Sequence, residues 1–335
     1  MMLTLMISFI LTVIFGKTLI PILSKLKFGQ TILKIGPSWH QKKQGTPTMG
    51  GISFILGIFI SLIICILAYY INFGRKLIET DFMIVKIISG LLMSLGFGAI
   101  GFIDDYIKIK RHKNKGLSAK QKLIIQFMVA SSFLLSIYLS EITYFSSPIT
   151  LVNIPFFGYI DFGSFYWIFS AFVIVGIVNA VNLTDGIDGL CTSVSVVSSV
   201  GFIVMSKLLN MYGLGLISSS MLGGCLGFLV WNFYPAKIFM GDTGSLFLGG
   251  LICALGFIMG DISVLIMFSM SYILEMFSVM VQVIYFKISH GKRLFKMSPI
   301  HHHFEMIGFS EKQICIVFSI VSLLFISLGI LLGGI

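Results

Sequence analysis

The feature that most constrains this chain is a recurrence: apolar runs long enough to cross a lipid bilayer return ten times. They cover roughly residues 2–23, 49–71, 83–103, 121–140, 165–181, 189–208, 213–231, 243–258, 262–286 and 313–333. Each comes close to the ~20 residues that a helix needs to span the hydrocarbon core. No water is present there to satisfy backbone amides and carbonyls, so such a segment must close its own hydrogen bonds as a helix. The pattern predicts an all-α polytopic membrane protein of about ten transmembrane helices, with residues 1–335 forming one integral membrane domain. Composition argues against a soluble fold: at 57% hydrophobic and 11% charged residues, with mean hydropathy +1.02, the apolar surface exceeds what one soluble core could cover. The first run lacks the basic start and small-residue cleavage site of a secretory signal and is read as a span.

A net charge of +10 raises nucleic acid as a partner, but the basic residues gather in a few short loops between apolar runs. Orientation in the bilayer and binding of anionic groups account for them, and nucleic-acid binding is set aside. Lys25, Lys27, Lys34, Lys42 and Lys43 follow the first run; Lys108, Lys110, Arg111, Lys113, Lys115, Lys120 and Lys122 follow the third. Lys287, Lys292, Arg293, Lys296 and Lys312 follow the ninth. Alternation puts these three loops on one face, which the positive-inside rule makes cytoplasmic, with both termini extracytoplasmic. On the other face Arg75 and Lys76 are offset by Glu79 and Asp81, and residues 141–164 carry Glu141 and Asp161 but no Lys or Arg. There Thr143-Tyr144-Phe145 and Leu151-Val152-Asn153-Ile154-Pro155 flank a Ser-Ser-Pro turn and predict a short extracytoplasmic hairpin. The cysteines (65, 191, 225, 253 and 315) all fall in apolar runs, without the spacing of a zinc site or a disulfide framework.

The predicted cytoplasmic face collects the reactive groups. Asp104 and Asp105 end a long apolar run just before a basic stretch, where two carboxylates are costly unless a cation, water or partner charge receives them. They read as part of a metal and phosphate site, or as solvated charges that end a helix. Asn182-Leu183-Thr184-Asp185-Gly186-Ile187-Asp188 offers hard oxygen ligands on a backbone free to turn closely; an Asx-rich turn is the alternative. Asn232 precedes Phe239-Met240-Gly241-Asp242-Thr243-Gly244-Ser245, a Gly-rich helix start at which Asp242 could hold a cation or, with Thr243, cap the helix. His301, His302 and His303 diverge along the backbone and do not readily converge on one metal, though imidazoles can donate to phosphate or sugar oxygens. Lys43 and Thr48 lie in a loop suited to an anion or to lipid headgroups. No P-loop or kinase pattern is present, so these groups suit a metal-bridged diphosphate at the membrane boundary, where a soluble phosphate donor meets a lipid phosphate acceptor.

The stretches GTPTMGG (45–51), GFIDDY (101–106), NLTDGIDGL (182–190), FMGDTGS (239–245) and SPIHHHFE (298–305) carry a resemblance. In order and spacing they resemble the phospho-N-acetylmuramoyl-pentapeptide-transferase family, within the polyprenyl-phosphate N-acetylhexosamine-1-phosphate transferase superfamily. The resemblance implies transfer of phospho-N-acetylmuramoyl-pentapeptide from its UDP conjugate to undecaprenyl phosphate, giving lipid I and UMP in peptidoglycan synthesis. It implies Mg2+, ten transmembrane helices in the bacterial cytoplasmic (inner) membrane and a homodimer. It assigns Asp104 to deprotonation of the lipid phosphate, Asp105 to the metal and phosphates, and Asp242 to Mg2+. Asn182, Asp185 and Asn232 match the nucleotide and metal region, with Asp188 in support. Lys43, Thr48, Lys120 and Gln282 match polar positions round the uridine and diphosphate, and His301, His302 and His303 match the substrate loop. A sister transferase moving N-acetylglucosamine-1-phosphate would share the acidic motifs but not the unbroken His301-His302-His303-Phe304-Glu305. A cation-coupled transporter would need carboxylates deep in its spans. Here Glu275 is the one such carboxylate, and a partner such as Gln282 or Ser271 is expected for it.

Overall fold

A computed structural model describes residues 1–26, 43–73, 80–111, 116–145, 150–154 and 157–333. Its helices are α1 (Met2–Lys25), α2 (Gly51–Phe73), α3 (Asp81–Lys110), α4 (Ala119–Phe145), α5 (Phe165–Thr184), α6 (Leu190–Leu208), α7 (Tyr212–Asn232), α8 (Gly241–Met259), α9 (Ile262–Phe268), α10 (Met270–Ile288), α11 (Ile300–Met306) and α12 (Glu311–Gly333). Ten of them, all but the short α9 and α11, are long and apolar enough to cross a membrane. The all-α polytopic expectation holds, with most span boundaries displaced by only a few residues. Lys27, Lys34, Lys42, Arg75, Lys76, Glu79, Lys113, Lys115 and the Ser146–Pro148 turn lie outside the described residues.

Two details differ from the sequence reading. Thr143, Tyr144 and Phe145 belong to the last turn of α4, not to a strand. The hairpin instead pairs β1 (Leu151–Ile154) with β2 (Gly158–Asp161), antiparallel, with Val152 opposite Ile160. The α4 helix continues because nothing up to Phe145 breaks it, and its end rings pack edge-on against Phe82. The ninth span is divided at Ser269 into α9 and α10. No Gly or Pro marks that point; a side chain from another helix does, since the Ser198 hydroxyl donates to the Phe268 carbonyl at the break (3.4 Å).

Helix α8 is the axis of the bundle: 94% of its central window is buried, against 22% for α1. Outer helices therefore present Leu, Ile and Phe outward, as a lipid-facing surface does, and the small residues lie where helices touch. A very close approach joins α3 to α8. A β-carbon on Gly101 would stand 2.1 Å from the Asp242 carbonyl oxygen, so only glycine lets the two backbones meet there. This contact places the acidic end of α3 on the N-terminus of α8. Gly101→Ala is expected to push the helices apart at a cost of about 1–3 kcal/mol. A melting temperature in detergent equal to that of the unmodified protein would contradict the close packing.

Candidate functional site

Four helix ends converge at one end of the bundle: the C-terminal turns of α3 and α5 and the N-terminal turns of α4 and α8. Helix α8 begins at Gly241, and the side chain of Met240 before it caps nothing, so the first amides need an acceptor from elsewhere. Asp105 of α3 supplies it. Its carboxylate accepts from the amides of Asp242 (3.2 Å) and Thr243 (2.9 Å) and from the Thr243 hydroxyl (2.8 Å). Neither Asp242 nor Thr243 caps the helix; a neighbouring helix does, and Asp242 is left free to face the site.

Asp242 is the hub. One carboxylate oxygen takes Lys108 and Lys122, each with its ammonium nitrogen at 2.9 Å, and the other accepts from Asn182 Nδ2 at 2.9 Å. The same Asn182 amide donates to Ser245 Oγ at 2.8 Å. Asp104 pairs with Lys108 one helical turn along (2.6 Å) and accepts from the Leu117 amide (2.7 Å). Oxygens of Asp104, Asp105 and Asp242 lie within 4.8 Å of one another. This set of hard, anionic oxygens suits Mg2+, Ca2+ or Mn2+ rather than a soft metal. Asp185 sits at the C-terminus of α5, where the helix dipole offers a carboxylate no help. Burial, with the carboxylates of Asp242, Asp105 and Asp188, pushes its carboxyl well above the usual range. A cation at this end of the bundle would relieve that accumulation of negative charge.

Backbone pairing brings the Thr48 loop to the same place: Phe239 N donates to Pro47 O (2.9 Å), and Gly50 and Gly51 donate to Phe239 O and Met240 O (2.8 and 3.0 Å). A β-carbon at Gly241 would lie 2.5 Å from Asp105 Oδ2 and 2.8 Å from Thr48 Oγ1, so Thr48 stands beside the acidic cluster. Lys120 is exposed at the start of α4, and the lysine that reaches Asp242 is Lys122. Lys108 and Lys122 were visible only as loop charges. The i,i+4 spacing of Asp104 and Lys108 on one helix was the available signal.

A second knot of charge lies where the loop at Lys43, the Asp188 turn and the start of α12 meet. Lys43 Nζ contacts Asp188 at 2.7 Å and Glu311 at 2.6 Å, and Glu311 also accepts from the Asp188 amide (2.9 Å). Asp188 in turn accepts from the Ala236 amide (2.8 Å). Glu311 was not foreseen: its partners are 123 and 268 residues away in sequence. Asn232 is buried, joined to the Thr192 hydroxyl and the Ile238 carbonyl (2.9 and 3.0 Å), and so braces the loop before α8 instead of entering the acidic cluster.

The three histidines take different hydrogen-bond partners, although the rings of His301 and His302 lie against each other with centroids 4.2 Å apart. His301 turns into the bundle onto Glu275, correcting the expectation of Gln282 or Ser271 as that carboxylate's partner. His302 joins Glu305 (2.6 Å), and His303 accepts from the Lys296 amide (3.1 Å). Gln282 accepts from the amides of Leu294 and Phe295 (3.2 and 2.9 Å) and donates to the Phe295 carbonyl (3.3 Å), so its amide is engaged with the backbone of the histidine loop.

Known proteins resemble this chain along nearly its whole length. Residues 87–260 match the family described as glycosyl transferase family 4, and residues 43–55 match signature 1 of phospho-N-acetylmuramoyl-pentapeptide-transferase. The chain is 42% identical over 333 residues to a phospho-N-acetylmuramoyl-pentapeptide-transferase of Halalkalibacterium halodurans, covering 99% of this chain and 97% of that protein. It is also 42% identical over 329 residues to the protein of that name from Staphylococcus aureus, covering 98% of each.

Proposed function

We propose that this chain, which belongs to the phospho-N-acetylmuramoyl-pentapeptide-transferase family, transfers phospho-N-acetylmuramoyl-pentapeptide from its UDP conjugate to undecaprenyl phosphate. The products are lipid I and UMP, and the reaction is the first membrane step of peptidoglycan synthesis. The observation that carries this reading is the triad of carboxylates at Asp104, Asp105 and Asp242, framed by Lys108 and Lys122 at the end of a membrane-spanning bundle. There a water-soluble diphosphate and a lipid phosphate can meet. The whole chain acts as one integral membrane domain in the bacterial cytoplasmic membrane, with this end of the bundle in the cytoplasm, both termini outside, and a homodimer as its assembly.

The chemistry follows from charge and position. Phosphoryl transfer asks for alignment and neutralisation more than for covalent help from the protein. Asp104 takes the proton of the lipid phosphate. A phosphate oxygen then attacks the sugar-linked phosphorus directly, and the bridging oxygen leaves with UMP. Lys108 and Lys122 are the cations placed to hold the diphosphate oxygens once these compete with Asp242 for them. Asp242, with Asp105, is the set that would hold Mg2+, which when bound supplies further neutralisation of the diphosphate. Thr48, Asp185 and Asn182 line the donor side, with Lys43, Asp188 and Glu311 fixing the loops behind them.

The test is UMP release by detergent-purified protein supplied with undecaprenyl phosphate, Mg2+ and either UDP-N-acetylmuramoyl-pentapeptide or UDP-N-acetylglucosamine. Turnover of the muramoyl donor alone, lost on addition of EDTA, is the expected result. Turnover of the glucosamine donor alone would move the chain to the sister transferases, and turnover of neither would overturn the reading.

A further inference from the structure

The donor-side turn at Asp185 and Gly186 is held from behind by a buried pair whose role the reaction chemistry does not account for. Glu275 of α10 and His301 of α11 are both 0% exposed, and Glu275 Oε2 lies 3.0 Å from His301 Nδ1. Ionisable side chains so deep in a membrane-spanning bundle are costly and persist where they have a task. The other edge of the imidazole is the informative one: Nε2 is buried and has no hydrogen-bond partner among the described residues. It faces Gly186, where a β-carbon would stand 2.2 Å from Nε2 and 2.7 Å from Cε1. Gly186 itself is exposed, and the neighbouring Asp185 feels the carboxylates of Asp242 and Asp105.

The pair is anchored along one stripe of α10. Glu275, Ser278 and Gln282 stand at i, i+3 and i+7, one face of a helix. Ser278 accepts from the Ile300 amide at the start of α11 (3.0 Å), and Gln282 binds the Leu294 and Phe295 backbone. The position of His301 is thus set from α10 at three heights, and of these three side chains Glu275 is the one bonded to the ring itself. A carboxylate oxygen beside Nδ1 favours the tautomer with its proton on Nδ1. The opposite tautomer would put an N–H at Nε2 against the Gly186 backbone with no acceptor, an unfavourable arrangement for a buried donor.

We propose that Glu275 is a positioning residue: through His301 Nδ1 it fixes the imidazole orientation and tautomer, so that the unprotonated Nε2 edge packs on Gly186 and holds the Asp185–Gly186 turn for the donor. His301 then acts through this turn and not by touching substrate, leaving His302 and His303, both partly exposed, as the substrate-facing pair. This rests on the transferase reading above, but its first test does not use the reaction.

Nitrogen-15 NMR of histidine-labelled protein in detergent, with the His301 signal assigned by its loss in His301→Gln, is expected to show the Nδ1–H tautomer. A proton on Nε2 would overturn the proposal. The second test is Glu275→Gln, close in size but without the carboxylate. Its KM for the UDP donor is expected to rise by about 10- to 100-fold, with kcat within a few-fold of the parent and the KM for undecaprenyl phosphate unchanged. The His301 signal should change with it. A merely structural pair would lower the melting temperature without that split between substrates, and a variant with parental KM and tautomer would sink the idea. Should the unmodified protein release no UMP, the transferase reading fails while the tautomer result still decides the role of Glu275.

Discussion

Asp242→Asn is expected to abolish UMP release, with a loss of roughly 10³-fold or more, in a protein that still folds. The substitution keeps the side-chain oxygen that accepts from Asn182 and leaves Asp105 on the first amides of α8, so the local backbone retains its supports. What disappears is a charge. Lys108 keeps Asp104 at 2.6 Å, whereas Lys122 loses its carboxylate partner and is free to swing. The pair proposed to hold Mg2+, Asp242 with Asp105, loses one of its two carboxylates, so Mg2+ affinity should fall together with the rate. Isothermal titration of Mg2+ beside the UMP assay separates the two effects. Parental turnover in the variant would remove Asp242 from the centre of the site, and lost turnover with an unchanged Mg2+ affinity would assign it to holding the lysines instead.

Lys43→Met should produce the largest loss of stability. Lys43 is the ammonium between Asp188 and Glu311, side chains only 2% and 7% exposed, and removing it leaves two buried carboxylates facing each other. Breaking a buried ion pair by deleting one partner costs about 3–5 kcal/mol, because the remaining charge has lost both water and its counter-ion. Three segments separate at once: the loop at Lys43, the turn at Asp188 that also holds the Ala236 amide, and the first turn of α12. The melting temperature in detergent should fall well below that of Asp242→Asn. The triple replacement of Lys43, Asp188 and Glu311 by apolar residues should recover much of the loss, since no unpaired charge then remains. Equal melting temperatures for the parent and Lys43→Met would show that the three side chains do not depend on one another.

Much of this was legible in the chain itself. Spanning helices announce themselves by length and hydropathy, and the acidic and histidine clusters stand out because an apolar chain has few charges to place. The neighbours of those clusters were less visible. Lys120 and Lys122 are two residues apart on α4, and which of them reaches Asp242 depends on how α4 is rotated against α8. Asn232 looks like a nucleotide ligand beside its motif, yet α6 turns Thr192 toward it and its amide is used inside the protein. Glu275 pairs with a histidine 26 residues away and not with a polar neighbour on its own helix. The division at Ser269 has no local marker, because the hydroxyl that takes the Phe268 carbonyl comes from another helix, 70 residues away in sequence.

The sequence by itself therefore determined the class of fold, the number of spans and the inventory of chemistry. Each of these follows from local physics: a bilayer of given thickness demands a given apolar length, and a costly charge within such a chain needs a reason. Only the tertiary structure decided which charge meets which. Asp105 capping α8, Lys108 and Lys122 sharing Asp242, Lys43 bridging Asp188 and Glu311, and Glu275 turning His301 onto Gly186 all join separate helices or loops. Those pairings depend on helix rotation and on close approach at glycines such as Gly101, long-range packing choices that no local period in the chain encodes.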